Sequence, residues 1–171
     1  VAIGALACAV LWSAIAADAP WVPLSRRATQ TLIALIGPLA PGATVVDMGS
    51  GDGRVLRAIA RRNPTMRGIG IEQSYLLTAI ARQWSACSGY RHLSFRRGDF
   101  KRTSLGGTDV VTCYLWSNVM PTLGEKFQRE LAPGSRMFSV AFAIPGWRPH
   151  RTVAIPNGGS CYEYVIDRSE D

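Results

Sequence analysis

The feature that most constrains this chain is the stretch Asp47-Met48-Gly49-Ser50-Gly51-Asp52-Gly53. An apolar run, Ala43 to Met48, leads into it, and Arg54 to Arg62 follows with Val55, Leu56 and Ile59 at helical spacing. The first reads as a buried strand and the second as a helix. Three glycines at alternate positions in a strand-to-helix turn let backbone approach a ligand closely, at the carboxyl end of a strand where open α/β sheets bind. The dinucleotide fingerprint GxGxxG is not met, because Arg54 stands where its third glycine belongs, and GxxxxGK[ST] is absent. A ligand held through phosphates is therefore not expected.

The rest of the chain continues the alternation. Ser25 to Ile36 predicts a helix with Ala28, Leu32, Leu35 and Ile36 on one stripe, stopped by Gly37-Pro38. Strands are expected at Arg67 to Glu72, Leu93 to Arg97, Asp109 to Leu115 and Arg136 to Phe142. Ser74 caps a helix with Leu77, Ile80, Ala81 and Trp84 on one face, and Val119, Met120, Leu123, Phe127 and Leu131 mark another. Two closing strands, near Thr152 to Ile155 and Cys161 to Ile166, flank a hairpin-type connection at Pro156-Asn157-Gly158-Gly159. Strands alternating with helices predict a mostly parallel sheet covered on both faces, with an antiparallel strand added at one edge.

The candidate site lies at the predicted strand ends. Asp47 and Asp52 flank the loop, and carboxylates there repel phosphate but suit a cation bearing an ammonium and a sulfonium. Glu72 ends the next strand, 21 residues after Gly51, where a carboxylate can take both ribose hydroxyls of a nucleoside. Gly98-Asp99-Phe100 follows the third strand, where an acid and an aromatic can hold an adenine amino group and cover its face. These strand ends describe an adenosyl ligand without phosphates, and S-adenosylmethionine is the economical answer. Taken singly, Asp47 also reads as a helix-cap acid, Glu72 as a solvated strand end and Asp99-Phe100 as an ordinary loop. Their order and spacing together favour the ligand.

Here the residues reach a family. The stretch DMGSGDGR resembles the cofactor loop of class I S-adenosylmethionine-dependent methyltransferases. Pro20-Trp21-Val22-Pro23, Glu130-Leu131-Ala132-Pro133-Gly134-Ser135-Arg136 and Pro145-Gly146-Trp147-Arg148-Pro149 are similar to elements of one subgroup. That subgroup comprises the lysine methyltransferases acting on the adenine nucleotide translocase and the ATP synthase c subunit, with prokaryotic relatives. The resemblance spans Pro20 to Pro149. It implies a Rossmann-like α/β fold with a mostly parallel seven-stranded sheet, an antiparallel edge hairpin, helices on both faces and an apolar N-terminal helix ahead of them. It also implies S-adenosylmethionine bound by Trp21, Asp47, Gly49, Ser50, Gly51, Asp52, Gly53, Glu72, Gln73, Asp99 and Phe100. Ser139-Val140-Ala141-Phe142 departs from many prokaryotic relatives, which carry His-Asp between Ser and Phe; this leaves cofactor binding expected and bears on the substrate.

For a lysine substrate, the end of the fourth strand is the natural approach. Tyr114 there could orient the amine or line the methyl pocket, and Trp116 could wall the lysine channel; equally, both could pack the edge of the core. The (Asn/Asp)-Pro-Pro-(Tyr/Phe) run common in adenine- or glutamine-modifying enzymes is absent. Methyl transfer to a small molecule or RNA, and a non-catalytic adenosyl-binding module, stay open as alternatives.

Composition bears on location and partners. Residues Val1 to Ala17 carry no charge, and the chain beyond them holds the basic surplus behind a net charge of +7. This run reads as a membrane anchor or its remnant, as a signal peptide ending near Ala16-Ala17-Asp18-Ala19, or as a buried helix; the anchor is expected. Residues 1–19 then form the anchor-like segment and 20–171 the methyltransferase domain. Arg26-Arg27 places that domain on the cytoplasmic side, or in mitochondria for a eukaryotic chain. The expected partner is a membrane-associated protein offering a lysine. Arg61-Arg62, Arg91, Arg96-Arg97 and Lys101-Arg102 suggest a basic rim that could attract RNA, acidic headgroups or an acidic protein, or form a solvated face; headgroups are the simplest use, and with no accompanying motif nucleic acid is not expected. Cys8, Cys87, Cys113 and Cys161 show no CxxC spacing, and His92 and His150 lie far apart, so neither disulfides nor a metal site is expected.

Overall fold

A computed structural model describes residues 22–156 and 158–167. The apolar run, Trp21 and Asn157 lie outside the described residues. Among those described, no helix is long and apolar enough to cross a membrane.

Among the described residues, four helices, α1 (Arg26–Ile36), α2 (Arg54–Arg62), α3 (Tyr75–Cys87) and α4 (Met120–Glu130), alternate with seven strands. The strands are β1 (Thr44–Met48), β2 (Arg67–Glu72), β3 (Leu93–Arg97), β4 (Val110–Cys113), β5 (Arg136–Val140), β6 (Arg151–Ala154) and β7 (Ser160–Val165). They form one sheet in the order β3-β2-β1-β4-β5-β7-β6. The pairings from β3 through to β5 are parallel, and β7 runs antiparallel to both β5 and β6. The antiparallel strand is thus inserted beside β5, and β6 forms the edge.

Side chains alternate across the pleat, so β1 sends Val45 to one core and Val46 and Met48 to the other. The first core packs Leu32, Leu35 and Ile36 of α1 with Leu56 and Ile59 of α2. The second packs Met120, Leu123 and Phe127 of α4 against Met137 and Tyr164. Ser25 caps α1 by accepting the Ala28 N–H at 3.2 Å, and Ser74 caps α3 through the Leu77 N–H at 3.3 Å. Arg136 joins the far end of α1 to the sheet: it donates to the Ile36 carbonyl at 2.9 Å and to buried Glu163 at 2.7 Å.

Several boundaries differ from expectation for local reasons. Strand β5 stops at Val140 because Ala141 adopts φ 71°, a left-handed conformation that turns the chain away from the sheet. Strand β4 ends at Cys113, so Tyr114 and Leu115 belong to the rim. Trp84 is 51% exposed, because the buried stripe of α3 runs through Leu77, Thr78, Ala81 and Ser85. The Arg57 guanidinium lies 5.2 Å from the centre of the Trp84 ring, packing against it from α2.

The Pro145-Gly146-Trp147 segment closes over α4, with Trp147 edge-on to Tyr164 at 5.7 Å. Gly124 permits this, because a Cβ there would lie 2.7 Å from the Ile144 methyl and 3.4 Å from the Trp147 ring nitrogen. Gly124→Val should lower stability by about 2–3 kcal/mol through overpacking. Thermal denaturation should show a melting temperature roughly 4–12 °C lower; an unchanged value contradicts this packing.

Candidate cofactor site

The strand order reverses between β1 and β4, and the crevice beside their carboxyl ends is where such sheets take ligands. The glycine loop fills this position. Gly49, Gly51 and Gly53 have φ of 73°, 54° and 78°, a backbone path that side-chain-bearing residues rarely follow. Space also forbids side chains at two of them. A Cβ on Gly49 would lie 2.7 Å from Leu115, and one on Gly53 would lie 2.6 Å from the Phe95 ring.

The loop is held by what surrounds it. The Gly49 and Ser50 N–H groups donate to the Ile71 carbonyl at 2.9 and 3.0 Å. Glu72 Oε2 accepts the Gly51 N–H at 2.9 Å, while Oε1 accepts the Ser74 N–H at 2.8 Å. A carboxylate oxygen has two lone pairs, so each retains acceptor capacity for a hydroxyl pair. Asp47 is buried, and its Oδ1 accepts the Thr112 hydroxyl at 2.8 Å. Burial pushes its carboxyl up to about 7, against the Thr112 bond and with help from the charges of Glu72 and Asp52.

The other expected residues are placed unevenly. The Asp52 carboxylate is turned onto Arg54, with Arg54 Nη2 donating at 2.7 Å and Nε at 3.0 Å, so its charge reaches the loop already paired. Ser50 Oγ is buried without a hydrogen-bond partner among the described residues, in the space above Gly70. Gln73 is exposed, and its carbonyl accepts from Arg97 Nε at 3.2 Å. Asp99 is half-buried, with Oδ1 accepting the Lys101 N–H at 2.8 Å. Phe100 packs in the second core with Ile71 and Leu105, so its ring belongs to the interior instead of standing open as an adenine cover. Tyr114 is half-buried against the first core. Trp116 is 46% exposed, with its ring centre 6.5 Å from that of Phe142.

Four supporting residues were not singled out by sequence reasoning. Thr112 is polar within the apolar run of β4, a signal that could have marked it. Phe95 fills the space over both Gly53 and Gly70. Leu115 meets Gly49, and Arg57 Nη1 donates to the Asp52 carbonyl at 2.7 Å. Their importance comes from tertiary contact, which no spacing encodes.

These residues fit an adenosyl cation. Repulsion among Asp47, Glu72 and Asp52 disfavours the ionised Asp47, and a cationic ligand relieves it. With S-adenosylmethionine bound, Asp47, Glu72 and the loop would hold it, and the ligand would supply an activated methyl group. Because Asp47 is raised from 3.8 to about 7, the folded chain keeps a proton that the unfolded chain releases first. The stability from that group is full below about pH 4 and is lost as pH rises through about 7. Asp47→Asn should flatten this part of the profile, so its melting temperature should gain on the parent between about pH 5 and 8; parallel profiles contradict the assignment. Glu72→Ala should weaken S-adenosylmethionine binding about 10- to 100-fold by calorimetry, the scale of hydrogen bonds to a charged group. Unchanged affinity places the ligand elsewhere.

Comparison with known proteins agrees with this geometry. The ANTKMT methyltransferase domain family matches residues 47–151. A protein-lysine N-methyltransferase of Saccharolobus islandicus is 29% identical over 153 residues, covering 86% of this chain and 93% of that protein. The adenine nucleotide translocase lysine N-methyltransferase of Mus musculus is 34% identical over 151 residues; the match covers 86% of this chain and 62% of the mouse protein. A crystal structure of an RNA methyltransferase from Salinibacter ruber with S-adenosyl-L-homocysteine superposes with a TM-score of 0.79 at 29% identity, covering 88% of this chain and 97% of that one. The family match over residues 47–151 and the likeness to these relatives show that the chain belongs to the ANTKMT methyltransferase domain family and is an S-adenosylmethionine-dependent methyltransferase.

Proposed function

We propose that this chain methylates a lysine side chain of a membrane-associated protein. The observation that carries the reading is the aromatic wall beside the cofactor loop. Trp116 follows β4, Phe142 follows β5 with its ring 6.5 Å from that of Trp116, and Leu115, next to Trp116 in sequence, meets Gly49 of the loop. Residues 114–118 and 141–144 bring no acid or base to that wall. An ammonium entering there meets apolar and aromatic surface, where desolvation lowers its pKa toward the neutral, nucleophilic amine. The proton would leave to solvent, and the amine lone pair would bond to the methyl carbon that bound S-adenosylmethionine supplies, its carbon–sulfur bond breaking to release the neutral thioether S-adenosyl-L-homocysteine. The chain's part is alignment, and proximity of this kind can lower a barrier by about 7–11 kcal/mol.

The names of the Saccharolobus and mouse relatives support lysine as acceptor. The charge-free run at residues 1–17 supports a membrane location, with Arg26-Arg27 marking the cytoplasmic side. A second reading, methyl transfer to RNA, is supported by the name of the Salinibacter relative.

Incubation of membrane extract with this protein and methyl-labelled S-adenosylmethionine, followed by separate protease and nuclease digestion, tests both. Label should be lost to protease, survive nuclease and map to methyllysine by mass spectrometry. Trp116→Ala should reduce transfer about tenfold, the effect of losing roughly 1.4 kcal/mol of contact. Label that survives protease and falls to nuclease contradicts the lysine reading.

A further inference from the structure

The basic residues are segregated in space as well as in number. Residues 55–108 hold ten basic and two acidic residues, whereas the rest of the chain holds nine basic and ten acidic. The whole positive surplus therefore belongs to the segment that builds α2, β2, α3 and β3, at one edge of the sheet. Nine of the ten cations are exposed: Arg61, Arg62, Arg67, Arg82, Arg91, Arg96, Arg97, Lys101 and Arg102. Of these nine, only Arg102 has a carboxylate of the described residues within ion-pairing distance, Asp99 at 3.8 Å.

Topology arranges these charges as a stripe. Arg91 precedes β3, Arg96 and Arg97 end it, and Lys101 and Arg102 follow beyond its carboxyl end. The strand itself spans roughly 16 Å. Arg82 comes over from α3 and donates through Nε to the Phe95 carbonyl at 2.8 Å. Beside it runs an open groove of about 500 Å³, lined by Tyr75, Thr78, Arg82, Gln83 and Arg97 together with Ala79 and Ala86. Tyr75 is 73% exposed in this groove. No helix lies between β3 and β4, so Ser94 and Arg96 are exposed on the opposite side of the strand.

We propose that this β3 edge is a docking track for single-stranded nucleic acid. A row of exposed guanidinium groups, all but Arg102 without a carboxylate partner among the described residues, matches a phosphodiester chain, because such a group can take a phosphate through paired N–H donors. An exposed tyrosine within a cationic groove supplies a stacking face for an unpaired base, and exposed Gln83 offers hydrogen bonds beside it. A bilayer would favour cations in one plane around a protruding apolar anchor. Here the cations lie on both sides of one strand and follow its length. The track is separate from the aromatic wall near β4, two strands beyond β2 in the sheet. It therefore serves to hold the enzyme on a nucleic acid, whichever acceptor is methylated.

Fluorescence anisotropy with labelled oligouridylate and oligothymidylate of about 12 nucleotides tests this directly, the two arms separating RNA from DNA. Binding at about 50 mM salt should weaken steeply as salt rises, by roughly 0.7 in log–log slope per phosphate contacted. Tyr75→Ala should weaken binding about 5- to 10-fold, the lower end of base-stacking effects. Arg91→Gln with Arg96→Gln should reduce the salt slope by about 1.4. All three substitutions should leave the melting temperature and S-adenosylmethionine affinity unchanged. No binding of either oligonucleotide at low salt, or binding indifferent to these substitutions, overturns the proposal. So does co-sedimentation with phosphatidylglycerol vesicles, weakened by the arginine substitutions, when neither oligonucleotide binds.

Discussion

Glu72 holds two pieces of backbone at once, with one carboxylate oxygen on the Gly51 N–H and the other on the Ser74 N–H. The first bond fixes the turn after β1, and the second fixes the entry into α3. Both would otherwise be unpaired donors near a crevice, and a buried or half-buried N–H without a partner is costly. The same carboxylate thus orders the loop and presents spare acceptor capacity to a ligand. Phe95 acts from below, filling the space that Gly53 and Gly70 leave open. The loop is therefore held by contacts from β2, β3 and the entry into α3, and such support limits the ordering cost of binding.

Electrostatics sets the character of the site. Burial raises Asp47 to about 7, while Asp52 is neutralised by Arg54 and Arg57 props its carbonyl. Only part of the loop's acidity is then available to a cation. The methyl acceptor meets a different surface, the tilted Trp116–Phe142 pair. Ala141 positions that pair by leaving β5 in a left-handed conformation, and the Ser139 hydroxyl donates to the Phe142 carbonyl to close the turn. An alanine in this conformation costs about 1–2 kcal/mol, strain that sits beside the site.

The glycine loop and the helix-strand alternation were legible because each rests on local chemistry. Ser25 and Ser74 cap the helices they precede, and Gly49 to Gly53 turn where a strand meets a helix. Residues defined by distant contact were harder to read. Phe100 looked like an adenine cover beside Asp99, yet the second core takes its ring. Trp84 looked inward by periodicity, but the stripe rotates toward Thr78 and Ser85 and leaves it under Arg57. The basic stripe was visible only as scattered pairs, because residues from Arg61 to Arg102 converge only once β3 becomes an edge.

The central claim is that the β1 loop and the end of β2 hold the cofactor as one unit. Amide hydrogen exchange with and without S-adenosyl-L-homocysteine tests it most directly, because each bonded N–H is read separately. The account predicts added protection at Gly49 to Gly53 and at Gln73 and Ser74, with the β6–β7 hairpin unchanged. Protection confined to α3 or the hairpin, with the glycine loop unaffected, would contradict it.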